Sequence, residues 1–198
     1  MQVKKEDVKA RIIEAARQEF LEKGFEKASL RKIVKIAQTT TGNFYNYFPN
    51  KEALFSELVE EVYKMFIYVI DHHDDWQEDA DFLFTNLTIV RERMKAIMMP
   101  LIHKLDYSFV LLMECSEGTQ YSHVRQQFKD ILAEHFLEHI DTKVGYPHQE
   151  MGIILSEQFI SGLIQIIKTT EDTQKRCELI IEQVIFVAIG VMGLLQNT

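Results

Sequence analysis

The sequence predicts an all-α chain, a three-helix N-terminal unit of helix-turn-helix type followed by a larger helical body. Three observations carry that expectation. Apolar residues recur at three- and four-residue intervals along most of the 198 residues, the period of one helix face. Only eight Gly and three Pro punctuate the chain, too few for a many-stranded sandwich. Ser29, Thr40 and Asn50 stand where short polar side chains cap the start of a helix. A hydrophobic content of 46% supports a substantial core in one or two compact units. No repeat, low-complexity tract or convincing strand is present.

In chain order, residues 4–22 carry Val8, Ile12, Ile13, Ala16, Phe20 and Leu21 on one side, an amphipathic helix of about five turns. Gly24 is placed to end it in a left-handed conformation and return Phe25 to the core. Ser29 then caps a short helix bearing Leu30, Ile33, Val34 and Ala37. Gln38 and Thr39 form the turn, and Thr40 caps a second short helix through Tyr45. Pro49 stops that helix, and Asn50 caps the next. The expected small core is Ile12, Ala16, Phe20, Phe25, Leu30, Ile33, Phe44, Tyr47 and Phe48.

From Lys51 a long helix is expected to residue 69 or 70, with Leu54, Phe55, Leu58, Val62, Met65, Phe66 and Val69 inward. The pattern breaks at 71–75. It resumes as helices over 77–94 and 96–105, the latter started or kinked by Pro100. Further helices are expected over 107–115, or one residue longer, and over 121–139, with Gly118 between them. Gly145 and Pro147 mark a loop. The last two helices, 149–168 and 173–195, are joined by turn and capping residues at 169–172 and should form an antiparallel hairpin.

Charge is divided unevenly. Residues 1–51 hold eleven Lys or Arg against six Asp or Glu, while residues 52–198 hold eleven against twenty-four. A net charge of -8 therefore conceals a basic head on an acidic body, and only the head is suited to phosphates. Cys115 and Cys177 are lone thiols without metal spacing, which fits a reducing cytoplasm. No signal-like segment is seen. The most apolar runs, 160–167 and 184–195, are too short and too interrupted to span a bilayer, so a cytoplasmic protein without membrane association is expected.

Two short helices joined by a tight turn form a helix-turn-helix, whose second helix offers its first residues to the DNA major groove. Thr41, Gly42 and Asn43 are the expected base contacts. Threonine presents a hydroxyl and a methyl group, asparagine can both donate and accept at adenine, and glycine permits close approach. Ser29, Tyr45, Asn46 and Lys51 are better placed on phosphates, which set register rather than sequence choice. Thr40 and the rim hydroxyl of Tyr47 complete that backbone set.

The same stretch closely resembles the DNA-binding domain of the TetR family of transcriptional regulators. The resemblance rests on Gly24-Phe25, Ser29, Ile33-Val34, the run Gly42-Asn43-Phe44-Tyr45-Asn46-Tyr47-Phe48, then Lys51-Glu52 and Leu54. It covers about the first quarter of the chain; beyond it, only length and helical pattern are similar. Two positions depart from the family pattern, Gln38 where glycine is usual and Thr39 where valine usually packs. The resemblance implies residues 1–50 as a DNA-binding domain and 51–198 as a helical ligand-binding and dimerisation domain. It also implies residues 41 to 43 facing bases, and Tyr45 and Lys51 on the DNA backbone.

One short recognition helix reads few base pairs, so a symmetric homodimer on a palindromic or near-palindromic double-stranded operator is expected. The final hairpin offers Leu155, Phe159, Gly162, Leu163 and Ile166 on one helix and Val184, Val187 and Val191 on the other as interface residues. These bands could equally bury within one subunit; the resemblance favours pairing. Met65, Phe66, Leu87, Met98, Phe109, Met113 and Phe128, with Glu114, could line an adaptable cavity or simply fill a core. The resemblance implies a pocket for a small-molecule effector of unknown identity. His72, His73, His103 and His148 could meet around a metal or haem iron, but their spacing is no metal signature, and neither metal nor cofactor is expected.

No phosphate-binding glycine loop, nucleophile elbow or zinc-protease spacing occurs, so the chain is not expected to be an enzyme. The functional expectation is a ligand-responsive, sequence-specific transcriptional repressor. The alternative is a constitutive dimeric architectural DNA-binding protein without a switch.

Overall fold

A computed structural model describes residues 2–71, 88, 91–92, 95–96, 99, 102, 104–138 and 149–193. The described residues are helical apart from turns and caps. The elements are α1 (Gln2–Lys27), α2 (Leu30–Ile36), α3 (Thr41–Phe44), α4 (Lys51–Asp71), α5 (Tyr107–Glu114), α6 (Val124–Glu138), α7 (Gln149–Thr169) and α8 (Thr173–Gly193). The helices expected over 77–94 and 96–105 fall almost wholly outside the described residues, as does the loop around Gly145 and Pro147.

The chain divides into two compact units, Met1–Lys64 with Tyr107–Arg125, and Met65–Asp106 with Gln126–Thr198. In the first, α1 bends at Gly24, which adopts φ 70 and ψ 165. That conformation is open to glycine without a Cβ penalty. The bend turns Phe25 inward, where its ring lies 5.8 Å from Phe20 and 5.4 Å from Phe55. Phe20 and Phe55 meet edge to face at 5.2 Å, a favoured aromatic geometry. Ile12, Ala16, Phe20, Phe25, Ile33, Phe44 and Phe48 are buried as the sequence pattern suggests, while Leu30 and Tyr47 are half-buried.

The first unit takes in more than residues 1–50. Phe109, Val110, Leu111, Leu112 and Met113 of α5 are all buried, so this helix is apolar on every side and needs cover all round. The Phe25 N–H donates to the Cys115 carbonyl at 2.9 Å, and the Arg17 guanidinium lies 5.0 Å over the Tyr107 ring. After α5 the chain turns at Gly118 (φ 80), against which the Glu26 side chain packs. Tyr121, expected to begin a helix, lies in this turn instead. Its hydroxyl donates to Glu60 at 2.9 Å and its ring meets Tyr63 at 5.1 Å.

In the second unit, Phe66 and Phe128 meet edge to face at 5.1 Å. Phe136 is buried beneath Leu132, Leu155, Phe159 and Val187. The α7–α8 hairpin closes at Asp172, whose carboxylate accepts from the Lys175 N–H at 2.7 Å, capping α8. Within the hairpin the Gln183 amide reaches over Gly162 and donates to the Phe159 carbonyl at 2.8 Å. By length and mean hydropathy alone, Glu150–Thr169 could cross a bilayer. That stretch is longer than the apolar run 160–167 within it, which by itself is too short to span. Buried contacts with α6 and α8, and a Lys129–Glu157 ion pair at 3.5 Å, mark α7 as a helix of this packed unit.

Candidate nucleic-acid interface

The helix-turn-helix is set by its caps. The Ser29 hydroxyl accepts from the Lys32 N–H at 3.4 Å, and the Thr40 hydroxyl accepts from the Asn43 N–H at 3.1 Å. Between the helices, the Thr39 N–H donates to the Val34 carbonyl at 2.9 Å and the Gln38 N–H to the Lys35 carbonyl at 3.2 Å. This is the Schellman arrangement, which requires a left-handed residue at its corner. That residue is Gln38, with φ 52. The departure from glycine thus places an ordinary side chain in a conformation L-residues disfavour.

Behind α2 stands Glu19, only 2% exposed. One of its oxygens accepts from the Ser29 N–H at 3.2 Å, and the other lies 2.6 Å from the Lys32 ammonium. Lys32 also holds Glu22 at 3.0 Å. Both carboxylates draw its pKa upward, Glu19 first. Lys23 and then Lys32 hold the Glu22 carboxyl down at about 2. The brace fixes the start of α2 against α1. Its one signal in the sequence is a glutamate flanked by Ala15, Ala16 and Phe20 on a buried helix face, and helical spacing does not single it out as a site residue.

Of the expected base contacts, Thr41 and Gly42 are exposed and Asn43 is half-buried; no atom lies within 4 Å of where a Gly42 Cβ would stand. Ser29, Thr40, Tyr45 and Asn46 are exposed, and Tyr47 is half-buried. Thr39 is half-buried and its hydroxyl accepts from the Asn43 amide at 2.8 Å. The Asn43 amide oxygen accepts in turn from Asn46 at 3.1 Å. Thr39, Asn43 and Asn46 are therefore brought together by side-chain hydrogen bonds around α3.

Lys51 is placed differently from the other expected backbone contacts. Its ammonium turns toward the end of α1 and donates to the carbonyls of Phe25 at 2.6 Å, Glu26 at 3.3 Å and Ala28 at 3.2 Å. Loss of hydration draws its pKa down, with Glu26 opposing. All three ammonium protons have acceptors within the chain.

The expected pocket residues fall in both units. Phe109, Met113 and Glu114 belong to the first; Met65, Phe66 and Phe128 belong to the second, where Phe66 and Phe128 touch. Leu87 and Met98 lie outside the described residues. A hollow of about 510 Å³ beside Met113 and Glu114 is lined also by Ser116, Glu117, Ser122 and Arg125. Another of about 440 Å³ in the second unit is lined by residues including Lys95, Met99, Cys177, Glu178 and Ile181. Among the described residues, no three His, Cys, Asp or Glu side chains are grouped to hold a metal. His72, His73, His103 and His148 are outside that set.

Several of the expected interface residues are occupied within their own unit. Leu155, Phe159 and Val187 cover Phe136, Leu163 is buried, and Gly162 lies beneath Gln183. Ile166 and Val184 are half-buried, and Val191 lies in α8 with its side chain outside the described ones. Among the described residues, the large apolar side chains that the hairpin leaves exposed are Met151, Ile153, Ile154, Leu179 and Phe186, the last 78% exposed.

Residues 12–58 match the family model of bacterial regulatory proteins of the tetR family. Over 168 residues the chain is 27% identical to the HTH-type transcriptional regulator YvdT of Bacillus subtilis (strain 168), covering 82% of this chain and 79% of that one. It is 41% identical over 61 residues to the regulator YdgC of the same organism, a match spanning 31% of each chain. Among solved structures, a transcriptional regulator of the TerR/AcrR family from Aquifex aeolicus VF5 aligns with a TM-score of 0.44 at 24% identity, over 91% of this chain and 99% of that one.

Proposed function

From a chain whose N-terminal helix-turn-helix is that of the TetR family of transcriptional regulators, we propose a ligand-responsive repressor that binds a specific operator as a homodimer. The observation that carries this reading is the recognition edge. Thr41 and Gly42 are exposed, Asn43 is half-buried beside them, and Ser29, Thr40, Tyr45 and Asn46 are exposed and carry hydrogen-bonding groups. In this reading Thr41, Gly42 and Asn43 face bases, and Ser29, Thr40, Tyr45, Asn46 and Tyr47 meet phosphates. Lys51 contributes through its main-chain N–H in the first turn of α4, since its ammonium serves the carbonyls of α1.

Residues 1–50 supply DNA binding, and 51–198 supply effector binding and dimerisation. Dimerisation is supported by the apolar residues that α7 and α8 leave exposed, Ile153, Ile154 and Phe186 chief among them. Within the second unit, the soft and aromatic side chains of Met65, Phe66 and Phe128, the last two in edge-to-face contact, support an effector site. The effector acts by preferring the arrangement in which two heads no longer match the operator, because equal affinity for both arrangements would shift nothing. The protein works in the cytoplasm, where its operator is.

The test is selection of bound fragments from a genomic library at fixed, near-physiological salt, repeated with Thr41→Ala. An inverted repeat from the native protein, with specificity relaxed by Thr41→Ala, is the expected result. Salt-sensitive binding that enriches no site would overturn the specific repressor and leave a general architectural DNA-binding protein.

A further inference from the structure

We infer that Thr39 and Asn46 hold the Asn43 amide as a preset adenine reader, making Thr39 a specificity-determining residue although it lies in the turn before the recognition helix. The inference rests on the DNA-binding reading above.

A primary amide carries two N–H donors and, on its oxygen, two lone pairs. At Asn43 one donor is committed to the Thr39 hydroxyl at 2.8 Å, and one lone pair to the Asn46 amide at 3.1 Å. One donor and one acceptor remain. Turning the amides over leaves the same remainder, because the Thr39 hydroxyl can donate as well as accept and Asn46 carries both functions. The Asn43 main-chain N–H is separately held by Thr40 at 3.1 Å. Side chain and backbone are thus tethered at once, and rotation of the amide is opposed from both sides.

A paired donor and acceptor on one amide has one good match among the major-groove edges. Adenine presents an acceptor at N7 beside the donor of its 6-amino group, whereas guanine presents two acceptors, and cytosine and thymine lack N7 altogether. Against guanine the amide oxygen would face O6, lone pair to lone pair. An untethered asparagine could rotate away from that conflict or serve a phosphate. A tethered one has less freedom to do so, and its ordering is already complete before DNA arrives. Gly42 beside it carries no side chain, and nothing stands within 4 Å of its missing Cβ, so the approach is open.

Thr39 is what separates this arrangement from a plain asparagine. Valine has nearly the same shape but no hydroxyl, so Thr39→Val keeps the packing of the turn and releases one tether of Asn43.

The experiment is selection from a randomised duplex library with the full chain, comparing the native protein with Thr39→Val, Asn46→Ala, Asn43→Ala and Thr41→Ala. The native protein should enrich a half-site with a strongly preferred adenine. Asn43→Ala should abolish that preference, about ten- to a hundredfold, while the other positions persist. Thr39→Val should retain the site and weaken discrimination at that adenine alone, by several-fold; should Thr39→Val fail to fold, Asn46→Ala tests the other tether, and discrimination at that adenine should weaken by several-fold on top of a uniform loss of affinity from its phosphate contact. Thr41→Ala should change a different position. An enriched half-site whose every position survives Asn43→Ala overturns the inference and leaves the regulator standing. So does an adenine indifferent to loss of the tether. A folded native protein that enriches no site overturns the DNA-binding reading itself, and the inference with it.

Discussion

The ammonium of Lys51 donates to the main-chain carbonyl of Phe25 at 2.6 Å and stands 4.3 Å from the centroid of the same residue's ring. One side chain from the first turn of α4 thus satisfies the carbonyl of the residue that follows the bend in α1 and lies over its aromatic face. The carbonyls of Glu26 and Ala28 complete its shell. A cation at the end of a helix also meets the negative pole of that helix. The contact joins the two helices that flank the helix-turn-helix, so its strength bears on how α2 and α3 are held.

Lys51→Met removes this clamp and keeps much of the side chain's apolar length. The expected cost is about 1.5–3 kcal/mol, the range for hydrogen bonds made by a charged group, read as a lower midpoint in urea unfolding. DNA affinity should fall by a similar factor on every sequence, because the change alters geometry rather than base contact. A stability indistinguishable from the native protein's would show that the three carbonyls are equally well served by water.

Gln38→Gly should stabilise the protein. A left-handed conformation costs an L-residue about 1–2 kcal/mol, and the added freedom of glycine in the unfolded chain returns about 0.5–1 kcal/mol of that. A net gain of about 0.5–1 kcal/mol is expected in chemical denaturation. Gln38→Val, β-branched at the same φ, should destabilise. If glycine there is neutral or harmful, the Gln38 side chain makes a contribution that offsets its backbone.

Gly152 and Gly162 should respond differently to alanine, although both lie within α7. A Cβ on Gly152 would stand 2.8 Å from the main-chain oxygen of Ala133 and 2.8 Å from Leu137. Helix backbone cannot yield cheaply, and a loss of about 1–3 kcal/mol is expected. A Cβ on Gly162 would stand 2.2 Å from the Gln183 amide nitrogen, the far end of a flexible side chain. There the lost hydrogen bond, about 1 kcal/mol, is matched by the gain in helix propensity, so thermal unfolding should move little.

Acid titration should find the Glu22 carboxyl still ionised well below the usual carboxylate range. With its pKa held at about 2 by Lys23 and then Lys32, its contribution is fully present above the ordinary carboxylate range and disappears as pH falls through about 2. The side chain is exposed, so the effect belongs in a site-resolved measurement such as carboxyl NMR shifts rather than in global stability. Lys32→Ala should raise the Glu22 midpoint, and Lys23→Ala should raise it further. Midpoints unmoved by either substitution would remove the basis for this brace at the surface.

Much of the architecture was legible in the residues alone, because helices depend on what is near in sequence. The caps at Ser29 and Thr40, the glycine bend at residue 24, the final hairpin and the basic head all follow from local chemistry at spacings of one to four residues. Periodicity also identified the buried positions Ile12, Ala16, Phe20 and Phe44. Gln38 was visible as a departure from the glycine usual at that turn, and the structure gives its φ as 52. What periodicity cannot supply is the partner that covers a face. Only the tertiary structure decided that residues 107–125 pack with the N-terminal helices, and that Leu155, Phe159 and Val187 close over Phe136 while Phe186 stays in the open. It likewise decided that the Lys51 ammonium turns to α1 and that the Thr39 hydroxyl takes hold of Asn43. These contacts depend on directions set by how helices cross, and that geometry comes from the packed core as a whole.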